Sequence, residues 1–129
     1  MDNSDRYEQL LDWMFQQIPM YQRQGKAAYK ADLSTTEALD DYMGHPHRTF
    51  RTIHVGGTNG KGSVAHMLAS VLQSAGYRTG LYTSPHLNDF RERIKVNGQM
   101  VQKDYVMSFM ERHQEHFLQV QPSFFEMTV

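Results

Sequence analysis

The chain of 129 residues contains no cysteine, which excludes disulfide staples and thiolate metal sites and fits a reducing compartment. An excess of either charge is lacking too. Thirteen Lys and Arg stand against 14 Asp and Glu, a formal net charge of −1, so no basic field draws in nucleic acid and there is no acidic tail. No apolar run approaches the roughly 20 residues that span a bilayer. The polar start Met1-Asp2-Asn3-Ser4-Asp5-Arg6 is unlike a secretory leader. These absences lead us to expect a cytoplasmic monomer without nucleic-acid or membrane partners, acting on small charged metabolites. Length and an ordinary apolar content of 40% fit one domain.

What the chain does have is concentrated in one segment. Gly57-Thr58-Asn59-Gly60-Lys61-Gly62-Ser63 follows the apolar Ile53-His54-Val55 and opens a helical pattern of Val64, Met67, Leu68, Val71, Leu72 and Ala75, with Gly76 at the C-cap position. Small residues let backbone N–H groups approach phosphate oxygens, the free N–H groups at the helix start point the same way, and Lys61 adds a positive charge. A plain strand-to-helix turn needs neither a lysine between two glycines nor Thr58 and Ser63 beside it. Against the pattern G-x-x-x-x-G-K-[ST], Val55 replaces the first glycine and the hydroxyl arrives one place late, at Ser63. A shortened phosphate loop is expected.

The remaining pattern is mixed. Tyr7, Leu10, Leu11, Met14, Phe15 and Ile18 trace one helix stripe that Pro19 stops. Residues 20–33 lack periodicity and form a connection long enough to be either a substrate-binding loop or a plain linker. Ser34-x-x-Glu37 has capping-box spacing and starts a short helix ending at Gly44. Residues 50–55 read as a buried strand and residues 79–83 as a second one after the glycine-loop helix, a β-α-β unit with parallel strands. Ser84-Pro85-His86-Leu87 leaves the second strand at its carboxyl end, the edge where open α/β sheets hold ligands. Asn97-Gly98 joins residues 91–96 to residues 99–101 in a type I′ hairpin. Val106, Phe109, Met110, His113 and Phe117 form a further helix stripe, and Ser123-Phe124-Phe125-Glu126 is a second capping box. The chain stops soon after it, which suggests truncation. The fold class expected is α/β, a parallel sheet with flanking helices around a phosphate loop.

Three of these segments carry a resemblance: residues 57–63 after Val55; Tyr82-Thr83-Ser84-Pro85-His86-Leu87 followed by Arg91-Glu92-Arg93-Ile94; and Ser123-Phe124-Phe125-Glu126. In order and spacing the chain resembles the amino-terminal part of the dihydrofolate synthase/folylpolyglutamate synthase family, relatives of the Mur peptide ligases. The glycine loop alone is common to Mur-type ligases, and the Ser-Pro-His-Leu segment narrows the likeness to the folate branch.

The resemblance implies an incomplete Mur ligase-like ATPase domain. The family's later magnesium ligands, carbamylated lysine and carboxyl-terminal domain have no counterpart. It also implies that ATP phosphates contact Gly57, Thr58, Asn59, Gly60, Lys61, Gly62 and Ser63, with Lys61 catalytic, that Ser84 is a Mg²⁺ ligand, and that Ser123, Phe124, Phe125 and Glu126 belong to a dihydropteroate site. By looser alignment Tyr29, Lys30 and Ala31 fall at an early pterin loop. The implied reaction adds L-glutamate to dihydropteroate or to the glutamate tail of reduced folates through an acyl phosphate. A segment with one phosphate site and no second domain is expected to bind ATP weakly and not to catalyse ligation alone.

Two other readings stay open: a Mur-type cell-wall peptide ligase, and a non-catalytic nucleotide-binding module. A GTPase is disfavoured by the absence of an N-K-x-D-like segment. Glu126 has a capping reading beside its site reading, with Phe124 and Phe125 placed to stack on a flat heterocycle. Arg91-Glu92-Arg93 with Lys95 reads either as a solvated strand edge or as a guide for an anionic glutamate tail. His113 and His116 lack a third ligand and read as surface or packing residues. Met14, Met67 and Met110 read as core filling.

Overall fold

The computed structural model describes residues 3–16 and 33–129. Tyr29, Lys30 and Ala31, and the expected helix stop at Pro19, lie outside the described residues. The chain divides into two compact units, residues 52–106 and the remainder.

The first unit is helical. α1 (Asn3–Gln16) buries Tyr7, Leu11 and Met14, one side of the expected stripe, because residues four and three apart share a helix face. α2 (Ser34–Tyr42) buries Leu39. Its capping box does not form: the N-cap residue is Leu33, no side chain caps the helix, and the Glu37 amide bonds to the Leu33 carbonyl at 2.8 Å. The expected glycine stop does form. Gly44 at φ +75° lets its own N–H reach Asp41 and that of His45 reach Asp40, the paired bonds of a Schellman motif.

α4 (Lys103–Val120) contributes Met107, Met110 and Phe117 to this core, and α5 (Phe124–Thr128) contributes Phe124 and Met127. The ring of Phe15 stacks on Phe124 with centroids 4.7 Å apart. Met14 and Met110 are core residues as expected. Trp13 lines an open groove with Leu10 and Met107, beside an Arg6–Glu111 ion pair.

His113 and His116 pack as expected, around Tyr42. His116 lies flat on the tyrosine ring at 3.6 Å between centroids, and the Tyr42 hydroxyl meets Nδ1 of His113 at 3.0 Å. Desolvation first, then the charges of Arg112 and His116, holds the His113 pKa below its ordinary 6.5. A histidine pKa lower in the folded than in the unfolded chain means that the unfolded chain takes up protons first as pH falls. The stability tied to this group is therefore complete above the unfolded value and lost toward the folded one. Denaturant midpoints followed from about pH 8 down to about pH 5 should fall, and fall less in His113→Gln.

The second unit pairs one helix with a small sheet. β1 (Gly80–Tyr82), β2 (Ile94–Val96) and β3 (Gln99–Met100) form a three-stranded antiparallel sheet in that order. Gly80 pairs with Val96, Tyr82 with Ile94, and Val96 with Gln99. Asn97 at φ +49° and Gly98 at φ +77° both adopt the positive φ of a type I′ turn. The turn is tied to the chain entering β1: the Asn97 amide donates to the Thr79 carbonyl, and its side-chain oxygen accepts the Thr79 N–H, both at 2.9 Å. α3 (Lys61–Ser74) packs on β1 through the side that carries the buried Ala69, and ends at Gly76 in a second Schellman arrangement.

Four expectations for residues 50–101 are corrected. Residues 50–55 are not a strand: they make no hydrogen bond among the described residues, and Ile53 is 63% exposed. β1 pairs instead with the hairpin immediately downstream, so the described sheet is antiparallel and not the parallel pair. Local antiparallel pairing closes a short loop, whereas a central parallel strand needs partners on both edges. The α3 stripe of Val64, Met67, Leu68 and Val71 is exposed, and Met67 fills no core. Residues 91–93 form part of a 3₁₀ turn (Phe90–Arg93) rather than strand.

Candidate phosphate-binding site

Gly60 is the N-cap residue of α3 at φ +78° and offers no capping side chain. A serine or aspartate there would occupy the first helix amides with its own oxygen. Glycine leaves them open. None of the backbone N–H groups of residues 57–63 makes a hydrogen bond among the described residues; the first amide to close the helix is that of Val64, on the Gly60 carbonyl at 3.0 Å. A Cβ placed on Gly60 or Gly62 would meet nothing within 4 Å, so the space over the loop is clear.

Lys61 lies across the same loop. Its ammonium donates to the carbonyl of Gly57 at 2.6 Å and to that of Thr58 at 3.4 Å, and no carboxylate among the described residues pairs with it. Open amides, a helix N-terminus and an unneutralised ammonium are the features that suit an anion of several oxygens. Thr58, Asn59 and Ser63 are exposed on it.

Ser84 leaves the carboxyl end of β1, as expected. It is exposed and its hydroxyl has no hydrogen bond among the described residues. The segment after it is pinned. The Glu92 carboxylate accepts the N–H groups of Leu87 (2.8 Å), Asn88 (3.0 Å) and Asp89 (2.8 Å). The amides of Leu87, Asp89 and Asn88, in that order, hold the Glu92 pKa below the usual carboxylate range. Arg91 grips Asp89 through Nε and Nη2, the latter at 2.7 Å, and that side-chain hydrogen bond is the main reason the Asp89 pKa is lowered. Arg93 is buried and donates from Nε to Nδ1 of His86 at 2.7 Å. A guanidinium only donates, so this ring nitrogen accepts. The solvated strand-edge reading of Arg91-Glu92-Arg93 is therefore corrected: these residues form a turn whose charges anchor the loop before it.

Ser123, Phe124, Phe125 and Glu126 belong to the first unit, not to the unit that carries the loop and Ser84. The capping box forms, with the Ser123 amide on Glu126 Oε2 at 2.8 Å and the Glu126 amide on the serine hydroxyl at 3.3 Å. The other carboxylate oxygen accepts from Thr36 Oγ1 at 2.8 Å. Phe124 is a core ring, whereas Phe125 is 56% exposed.

Sequence patterns passed over two clusters. Asp89-x-x-Glu92 is itself capping-box spacing and forms one, so the anchor of the Ser84 loop was readable. Asp40 takes His45 Nδ1 at 2.6 Å and His47 Nδ1 at 2.8 Å. Hydrogen bonding to His45, opposed by desolvation and aided by His47, lowers its pKa. No spacing rule signals that pair, because it depends on the turn at Gly44.

No protein-family model matches the chain. It is 47% identical over 73 residues to the dihydrofolate synthase/folylpolyglutamate synthase of Bacillus subtilis, a match covering 57% of this chain and 17% of the relative. Its structure superposes on folylpolyglutamate synthase from Thermotoga maritima with a TM-score of 0.81 and 36% identity, covering 97% of this chain and 28% of the other. Mycobacterium tuberculosis folylpolyglutamate synthase complexed with ADP gives a TM-score of 0.83 at 27% identity, covering 98% of this chain and 28% of the other. The chain thus spans well under a third of the relatives it matches. With its glycine loop, its anchored Ser84 segment and this likeness in both sequence and fold, the chain is similar to the amino-terminal part of dihydrofolate synthase/folylpolyglutamate synthases and has part of a Mur ligase-like fold.

Proposed function

We propose that the chain is part of the ATP-binding domain of a ligase that joins L-glutamate to dihydropteroate or to the glutamate tail of a reduced folate, and that it does not complete the reaction alone. The observation that carries this reading is the loop of residues 57–63, whose amides are open and whose Lys61 ammonium has no carboxylate partner among the described residues. A carboxylate at neutral pH is a poor electrophile. Transfer of the γ-phosphoryl of ATP to a carboxylate oxygen releases ADP and makes an acyl phosphate. The glutamate amine then attacks the acyl carbon, phosphate leaves, and the nitrogen loses a proton. Charge builds on the oxygens of the phosphoryl group in flight, and stabilising it requires fixed donors. The loop amides would supply such donors, and Lys61 the charge.

A magnesium ion fits the Ser84 position by chemistry. The hydroxyl is a hard oxygen donor, exposed and uncommitted, and Mg²⁺ prefers oxygen ligands while keeping several waters. When bound, the ion would neutralise phosphate charge. For the pterin side, Phe125 is the exposed ring and Phe124 is committed to packing. The roles of Ser123, Glu126, Tyr29, Lys30 and Ala31 toward dihydropteroate rest on the family resemblance.

Calorimetric titration with ATP, ADP, AMP and adenosine tests the reading. Affinity should rise with each added phosphate, because the loop recognises phosphate and not base. Equal affinity for adenosine and ATP would remove the proposal. A helix N-terminus contributes about 0.3–1 kcal/mol toward an anion, up to ~2 when partly buried, against about 8 kcal/mol for a micromolar complex. Weak binding is therefore expected.

A further inference from the structure

Arg93 is an unusual residue for the interior, at 6% exposure. Two of its bonds fall on the two flanks of one dipeptide. Its carbonyl accepts the N–H of Thr83 at 3.0 Å, and its Nε donates to the ring of His86 at 2.7 Å. Ser84 and Pro85 lie between those two anchors. Beyond His86, the Glu92 carboxylate holds the next three amides, so from Thr83 to Asp89 only Ser84 and Pro85 are not gripped by residues 91–93. Burying a guanidinium is costly, and a leucine or methionine could fill the same space without that cost. What an apolar residue could not do is hold the imidazole.

We propose that Arg93 is a positioning residue for Ser84, fixing the loop on both sides so that the serine hydroxyl is held where a metal ion bound to ATP needs an oxygen ligand. The inference rests on the ATP reading above and adds a role for a residue that does not itself touch nucleotide or metal. Residues that orient a ligand from behind typically change metal affinity by about 10- to 100-fold when replaced. Lysine keeps the charge of Arg93 but has no planar fork with which to hold the imidazole while its carbonyl serves Thr83.

The test is the Mg²⁺ concentration that half-maximally enhances ATP binding, together with ATP affinity without metal, in the parent chain and in Arg93→Lys, His86→Ala and Ser84→Ala. Circular dichroism shows which variants fold. If Arg93→Lys does not, His86→Ala breaks the same side-chain grip from its half-exposed end. The expected result is a Mg²⁺ requirement raised about 10-fold or more by either change, with metal-free ATP affinity held. Neither change should add to the effect of Ser84→Ala when combined with it, since both act through that hydroxyl. An unchanged Mg²⁺ requirement, additive effects, or an equal loss of metal-free affinity would each overturn the positioning role while leaving the ATP reading intact. A parent chain that binds no ATP, or whose binding ignores Mg²⁺, overturns this inference together with the reading beneath it.

Discussion

Lys61→Ala is expected to weaken ATP binding by about 10- to 100-fold, the consequence of losing a charge-assisted contact of about 1.5–3 kcal/mol. The loop itself should survive. The ammonium closes the loop by donating to the carbonyls of Gly57 and Thr58, but both are exposed backbone groups that water can serve, and α3 starts from the glycine geometry at Gly60 rather than from the lysine. Fold and function are therefore separable at this position. Far-ultraviolet circular dichroism should match the parent, and calorimetry should show the loss confined to phosphate-bearing ligands, with adenosine unaffected. If the variant binds ATP as the parent does, Lys61 is only a brace for the loop.

Phe124→Ala should destabilise the first unit by about 3–5 kcal/mol, the usual cost of truncating a buried phenylalanine. The ring is 3% exposed, stacks on Phe15, and sits at the start of a five-residue helix that could not stand without packing. Phe125→Ala, one residue along and on the exposed side, should stay within about 0.5 kcal/mol of the parent. Urea denaturation of the two variants separates packing from ligand contact. A phenylalanine reserved for a flat heterocycle would show little stability loss on truncation. If both variants are as stable as the parent, Phe124 is not the core residue described above.

Much of the fold was legible because local rules decided it. Gly44 and Gly76 stop their helices, and Asn97-Gly98 turns its hairpin, because each needs a positive φ that few other residues adopt without strain. Tyr7, Leu11 and Met14 were readable as core from spacing alone. The differences arise where a local pattern depends on what packs against it. Residues 50–55 and the stripe Val64, Met67, Leu68 and Val71 have the composition of an interior but are exposed or unpaired among the described residues. Periodicity reports which face is apolar, not what lies against it. Ser34-x-x-Glu37 failed as a capping box while Ser123-x-x-Glu126 formed one, a difference that four-residue patterns do not encode.

The candidate site divides in the same way. The open loop was visible as small residues around a lysine, since glycine is what keeps a helix start uncapped. The anchoring of Ser84 was obscured because Arg91, Glu92 and Arg93 look like an ordinary run of surface charge. Only the fold shows that each one reaches back to the loop before it.

Backbone amide nuclear magnetic resonance of the chain during addition of ATP shows directly whether the loop of residues 57–63 receives phosphate. The N–H signals of residues 57–63 should shift most, as open donors acquire phosphate oxygens, and adenosine should leave them in place. Signals that stay fixed in that loop while others move, or that respond equally to adenosine, would contradict phosphate binding there.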